Sequence, residues 1–305
     1  MSKKALSIIA VLIIIAFIGY IIVDTASPEK EKKTAKSGEI KLNPDKWAVS
    51  KILDPRYGPL KAVAVSQNGN LFLGGDAWVA CYDMDLKLLW NLETPKPVTS
   101  LAVSGDTLFA STLETILLIS FKGIIKDEWG PYEDSSIITS TSANNSFVAF
   151  ADAGNKIVII LNKKGELKTI IGKSGEPFIL PSAYFDVALD QNNVLFVANT
   201  GNRRIEKRSL QGDLINFFGL PGTAPEAFCG CCNPAHFVLT KDGFITAEKG
   251  INRIKLITNE GKFVEFVSSE NKFIPSIPLD LAATDGNTIF AANPADGKLY
   301  VFKRR

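Results

Sequence analysis

The residues with the most reactive chemistry fall in one octapeptide, CGCCNPAH, which gathers Cys229, Cys231, Cys232 and His236, the only histidine of the chain. Three thiolates and one imidazole are the right donors for a tetrahedral soft-metal shell, so zinc, copper or iron is a candidate here. The spacing departs from the two separated ligand pairs of a structural zinc site, because Cys231 and Cys232 are adjacent. Two other chemistries fit the same residues: a disulfide that staples the loop and leaves one thiol over, or reduced cysteines that pack as small apolar groups. The competing role for His236 is a hydrogen bond to nearby backbone or to Glu248. Cys81, remote in sequence, reads as a core residue.

A second set of residues offers hard oxygen donors. Asp152, Asn199, Glu248 and Asn293 each close an apolar, strand-like run, and Asp186 and Asp280 stand near the start of others. Such donors suit calcium, which could polarise a carbonyl while a carboxylate acts as general base. The purely structural alternative is hydrogen bonding of turns, where Asp and Asn recur for local reasons. Arg203, Lys249 and Arg253 accompany these groups as candidate ligand contacts. Arg203, Arg204, Lys207 and Arg208 form a basic cluster, but strand alternation and the intervening Glu206 point to a solvated edge. A net charge of +2 gives no bulk electrostatic reason to expect a nucleic-acid partner. No nucleophile elbow, phosphate-binding glycine loop or HExxH motif is present, so no catalytic residue is assigned and the balance is against an enzyme.

The elements that must position these residues repeat. KAVAV from Lys61, TSLAV from Thr99, TSTSA from Thr139, FDVAL from Phe185, HFVLT from His236 and LDLAA from Leu279 recur at intervals of 38 to 51 residues. That period is expected of propeller blades. In the fourth unit, Tyr184–Asp190, Val194–Asn199, Arg204–Leu210 and Leu214–Gly219 are strand-like, separated by the turn sequences QNN, TGN and QGD. The sixth unit has only three such runs before the chain stops, and WAVSKIL, Trp47–Leu53, is available to supply its missing outer strand. The fold class is therefore all-β: a six-bladed propeller of four-stranded antiparallel blades. In this path the interblade connections and the turns after each second strand share one face, called top below, where the cysteine loop meets Glu248, Lys249 and Arg253.

VANTGNRRIEKRSLQGDLINFFG, Val197–Gly219, resembles an NHL repeat, and so do Ala151–Gly172 and Ala247–Val267. The resemblance covers about residues 139–268 and implies a six-bladed propeller. The family hosts protein binders, RNA binders, lyases and lactonase-like hydrolases, so it implies no single activity. A lyase-type site needs several imidazoles, which one histidine does not supply.

Ahead of the propeller, residues 1–4 carry Lys3 and Lys4, and Ala5–Val23 is an apolar run. At ~1.5 Å per residue that run covers about 28 Å, close to a bilayer's hydrocarbon thickness. Residues 5–23 are expected to form a transmembrane signal-anchor, 24–45 a Lys/Glu-rich tether and 46–305 the propeller. Asp24 directly after the span favours an extracytoplasmic body. The expected function is a membrane-tethered scaffold that binds a protein or small ligand on the top face, with a metal or redox role for the cysteine loop. The alternative is a cation-dependent, lactonase-like hydrolase.

Overall fold

The computed structural model describes residues 46–173, 177–268, 273–284 and 286–305. The expected anchor at 5–23 and tether at 24–45 lie outside them. Among the described residues no helix is long and apolar enough to cross a membrane.

Strand β1 (Trp47–Leu53) precedes blade one, which comprises β2 (Leu60–Val65), β3 (Leu71–Gly75), β4 (Trp78–Tyr82) and β5 (Leu88–Glu93). Blade two holds β6 (Ser100–Ser104), β7 (Thr107–Ser111), β8 (Ile116–Ser120) and β9 (Ile125–Trp129). Blade three holds β10 (Ile138–Ala143), β11 (Phe147–Asp152), β12 (Ile157–Asn162) and β13 (Leu167–Ile171). Blade four holds β14 (Val187–Leu189), β15 (Leu195–Asn199), β16 (Arg204–Arg208) and β17 (Leu214–Phe218). Blade five holds β18 (His236–Thr240), β19 (Gly243–Ala247), β20 (Ile254–Ile257) and β21 (Phe263–Ser268), and blade six β22 (Asp280–Ala283), β23 (Thr288–Asn293) and β24 (Lys298–Arg304). Each blade is a four-stranded antiparallel sheet, and the sixth runs β1-β24-β23-β22. The described residues form an all-β, six-bladed propeller.

Burial follows strand position. β3, β4 and β19 are buried along their whole length, whereas the outer strands β5 and β17 are mostly exposed. Middle strands are covered on both faces by neighbouring blades, so their sequences are continuously apolar instead of alternating. The hydrophobic core is accordingly divided among the junctions between blades. Leu60, Leu73 and Trp78 of blade one pack with Phe290 and Val301 of blade six, while Phe228, Phe237 and Phe244 pack against Ala198 and Ile205 of blade four.

The ring is closed by β1, which pairs antiparallel to β24 from Trp47↔Arg304 to Leu53↔Leu299. Trp47 Nε1 donates to Glu265 Oε1 at 2.9 Å, tying the closing strand to the outer strand of blade five. Burial pushes the Glu265 carboxyl up, but hydrogen bonds from Trp47, Arg304 and Lys46 hold it below its ordinary value. The first strand of blade four is shorter than its sequence suggests. Upstream of Val187, Phe185 O instead accepts the Thr139 hydroxyl across the blade junction at 2.6 Å.

Candidate functional site

At the axis, the first strands present a row of equivalent residues: Ala62, Ser100, Ser140, Asp186, His236 and Asp280. Several accept a backbone N–H from the next blade. Ser100 Oγ accepts Thr141 N at 2.9 Å, Ser140 Oγ accepts Val187 N at 3.2 Å, Asp186 Oδ2 accepts Phe237 N at 2.7 Å and Asp280 Oδ2 accepts Val63 N at 2.8 Å. Asp186 Oδ1 is occupied as well, by the Ser140 hydroxyl and by Val187 N. Asp186 and Asp280, two of the four carboxylates that the sequence offers to a channel cation, thus bind innermost strands to one another.

In blade five this position is His236, whose Nδ1 lies 3.6 Å from both Asp186 Oδ2 and Asp280 Oδ1. Burial pulls the imidazole pKa down, but the two carboxylates outweigh it and hold it above the ordinary value. Burial pushes the Asp280 carboxyl up to about 6 against the opposing pull of His236 and Val63 N–H. The imidazole faces these aspartates, not the three cysteines and not Glu248. Beyond this row a cavity of about 650 Å³ follows the first strands from Asp186 and Asp280 to the hairpin turns at Asn68, Asp106 and Gln191.

The residues at the ends of the second strands hold interblade loops or the turns that follow them. Asp152 accepts Ile137 N at 2.9 Å and Gly154 N at 3.0 Å, and Asn199 Oδ1 accepts Ile179 N at 3.1 Å. Glu248 Oε2 accepts Cys229 N at 3.1 Å, and Asn293 Oδ1 accepts Ala295 N at 3.2 Å. These donors answer backbone groups locally instead of converging at the axis. Among the described residues no three His, Cys, Asp or Glu side chains form a group able to hold a metal ion.

The cysteine loop rests on a buried charge cluster. Glu248 Oε1 lies 2.7 Å from Arg253 Nε and 2.9 Å from Lys255 Nζ, and all three side chains are almost wholly buried. Arg253 also donates to the carbonyls of Thr223, Ala224 and Ala227, and Lys255 to those of Pro225 and Ala227. Five hydrogen bonds therefore fix the approach to Cys229. Burial lowers the Lys255 ammonium to about 8 even with Glu248 alongside. Asn233 completes the clamp, donating to Cys229 O at 2.7 Å and Lys249 O at 2.8 Å and accepting Lys249 N at 2.9 Å.

The three loop cysteines occupy different environments. Cys229 is buried, with Sγ 3.4 Å from Lys249 O and 3.3 Å from Asn233 Nδ2. Cys232 is buried while Cys231 is exposed, and their sulfurs are 3.2 Å apart. Around them, Arg203 Nε donates to Gly230 O at 2.6 Å, and Lys249 Nζ sits 4.3 Å above the Tyr184 ring, which meets His236 edge-on. Cys81 is buried in blade one, where burial pushes its thiol up to about 12.

Blade four replaces this cluster with its charge-inverted counterpart. Asn199 stands where blade five has Glu248, and Glu206 on β16 stands where β20 has Lys255. Glu206 is fully buried between Arg204 and Arg208, both within 2.6 Å. This corrects the expectation of a solvated basic edge: Glu206 shares its face of the sheet with Val197, which packs in the junction with blade three, and Arg208 lies over Phe178 there, so Arg204, Glu206 and Arg208 are paired in that junction. Asn233, Lys255, Tyr184 and Glu206 were not singled out from the sequence. The usable signal was alternation, since Arg-x-Lys and Arg-x-Glu-x-Arg put like residues on one covered face.

No family model matches the chain, and no curated protein matches it. Solved structures share its fold. A streptogramin B lyase aligns at 14% identity with a TM-score of 0.62, covering 85% of this chain and 98% of the lyase. Virginiamycin B lyase from Staphylococcus aureus aligns at 18% identity with a TM-score of 0.60, covering 84% of this chain and 99% of the enzyme. The β-propeller domain of Cps50 (Swd1) from Myceliophteria thermophila aligns at 13% identity with a TM-score of 0.58, covering 84% and 99%. Identities of 13–18% at TM-scores of 0.58–0.62 make the likeness one of architecture.

Proposed function

We propose that the chain is an NHL-like propeller, anchored by residues 5–23 with its body outside the cytoplasm, that binds a partner protein or small ligand on its top face. The observation that carries this reading is the cysteine loop: Glu248, Arg253, Lys255 and Asn233 clamp its backbone from inside, yet it carries exposed Cys231 at the surface. A rigid, exposed loop presents binding groups at low ordering cost. Arg203 and Lys249 add positive charge beside it. The hydrolase alternative is less favoured, because Asp186, Asp280 and Glu248 already accept backbone N–H groups.

The test is photo-crosslinking of the full-length chain in its native membrane. A crosslinker at Lys249 or Glu226 should give discrete adducts sensitive to competition by unlabelled protein, whereas one at Asn68 on the opposite face should not. Adducts only from Asn68, or extraction of the full chain from membranes by alkaline carbonate, would overturn the reading.

A further inference from the structure

The described cysteines differ sharply in access and in geometry. Cys229 is enclosed by Asn233 and Lys249 O, and Cys81 lies in the core of blade one. Cys231 alone is exposed, and its sulfur touches that of buried Cys232 at 3.2 Å, about 1 Å beyond a disulfide bond. Adjacent residues joined by a trans peptide have Cα atoms about 3.8 Å apart, shorter than the roughly 4.4–6.8 Å that a relaxed disulfide prefers. The peptide between Cys231 and Cys232 is not among the cis bonds of the described residues. A disulfide here would therefore be strained, and strained, exposed disulfides are the readily reduced ones. That geometry disfavours a permanent staple: the strained disulfide is a strong oxidant, so the dithiol is the resting form and is driven to the disulfide only by an excess of substrate disulfide.

We propose that Cys231 and Cys232 form a dithiol site that exchanges with a disulfide substrate. The Cys231 thiolate attacks one sulfur of R–S–S–R′, forming Cys231–S–S–R and releasing R′–S⁻. The Cys232 thiolate then attacks the Cys231 sulfur, forming the Cys231–Cys232 disulfide and expelling R–S⁻. One disulfide is reduced as another forms, and the two protein thiol protons end on the two leaving thiolates. Exposure assigns the attacking role to Cys231 and burial assigns the resolving role to Cys232. Hydrogen bonding to Cys232 raises the Cys231 pKa while Lys249 opposes it, so attack should accelerate as pH rises above neutrality. The inference deepens the top-face reading by naming a substrate class, but it stands on thiol geometry alone.

The reduced full-length chain in detergent is exposed to a large excess of oxidised glutathione in one arm and of a peptide dimer joined by one disulfide in the other. Expected is a Cys231–Cys232 peptide lighter by two hydrogen atoms, restored by reductant. Cys232→Ser should trap a mixed disulfide at Cys231, and Cys231→Ser, at an exposed position, should abolish the reaction. Reaction in the first arm alone supports the site with small disulfides as substrate, and in the second with polypeptide disulfides. Both thiols remaining alkylatable in both arms, or a bond to Cys229, overturns it. Because the wild type is read directly, an unfolded variant does not decide the result. Lost exchange with intact top-face crosslinks sinks the redox inference alone, and the converse sinks the scaffold reading alone.

Discussion

The carboxylate of Glu248 accepts the backbone N–H of Cys229 at 3.1 Å, joining the buried charge cluster of blade five to the first residue of the cysteine loop. The same carboxylate faces Arg253 and Lys255, which in turn hold the carbonyls of Thr223 to Ala227. A surface loop is thus organised by charges that never reach solvent. Desolvating three ionic groups is costly, and the arrangement persists because nearly every donor and acceptor has a partner.

Replacing Glu248 with Gln preserves shape while leaving two buried cations without their counter-charge. Loss of one member of such a cluster costs about 3–5 kcal/mol, or a Tm lower by roughly 10 °C. Cys229 should also become faster to alkylate, since its N–H anchor weakens. Calorimetry and thiol kinetics check both, and an unchanged Tm would refute a structural role for the cluster.

His236 should make stability depend on pH. Its folded-state pKa lies above 6.5, so its contribution is fully present below 6.5 and is lost as pH rises through the folded value. Asp280 acts in the same sense at lower pH: raised from 3.8 to about 6, it binds its proton more tightly when folded, so stability falls across that interval. The groups facing the imidazole are Asp186 immediately before β14, Asp280 on β22 and Tyr184, with Lys249 over the tyrosine ring. As pH rises from below 6.5 through the folded-state pKa of His236 the wild type should lose stability, read as a falling Tm, and His236→Gln should flatten that slope. An equal slope in both proteins would exclude His236 as its source.

Native thiol titration of the reduced chain should resolve one fast class. Cys231 is exposed, whereas Cys81, Cys229 and Cys232 are buried. Denaturation should raise the count to the four cysteines of the sequence. Peptide mapping that places the first label on Cys229 would contradict the loop geometry.

The closing strand offers a test remote from the loop. Trp47 is 3% exposed and its indole binds Glu265 on blade five. Trp47→Ala should cost about 3–5 kcal/mol through the cavity and the lost hydrogen bond. Trp47→Phe, which keeps most of the volume, should cost less. Urea denaturation separates the two, and equal losses would mean that packing contributes little there.

Periodicity alone determined the architecture. Strand runs and turn residues are local signals, and KAVAV, TSLAV, TSTSA, HFVLT and LDLAA all lie on first strands of blades. Composition also marked the cysteine loop as unusual, because thiol clusters are rare whatever the fold. Only the tertiary structure decided partnership. His236 lies four residues from Cys232 in sequence, yet its ring faces Asp186 and Asp280, 50 and 44 positions away, because its strand starts at the axis between theirs. Arg208 and Glu206 looked solvated by composition and are buried, because the covering surface belongs to another blade. Local propensity is written in neighbouring residues, whereas burial and charge pairing depend on surfaces that meet only when the ring closes.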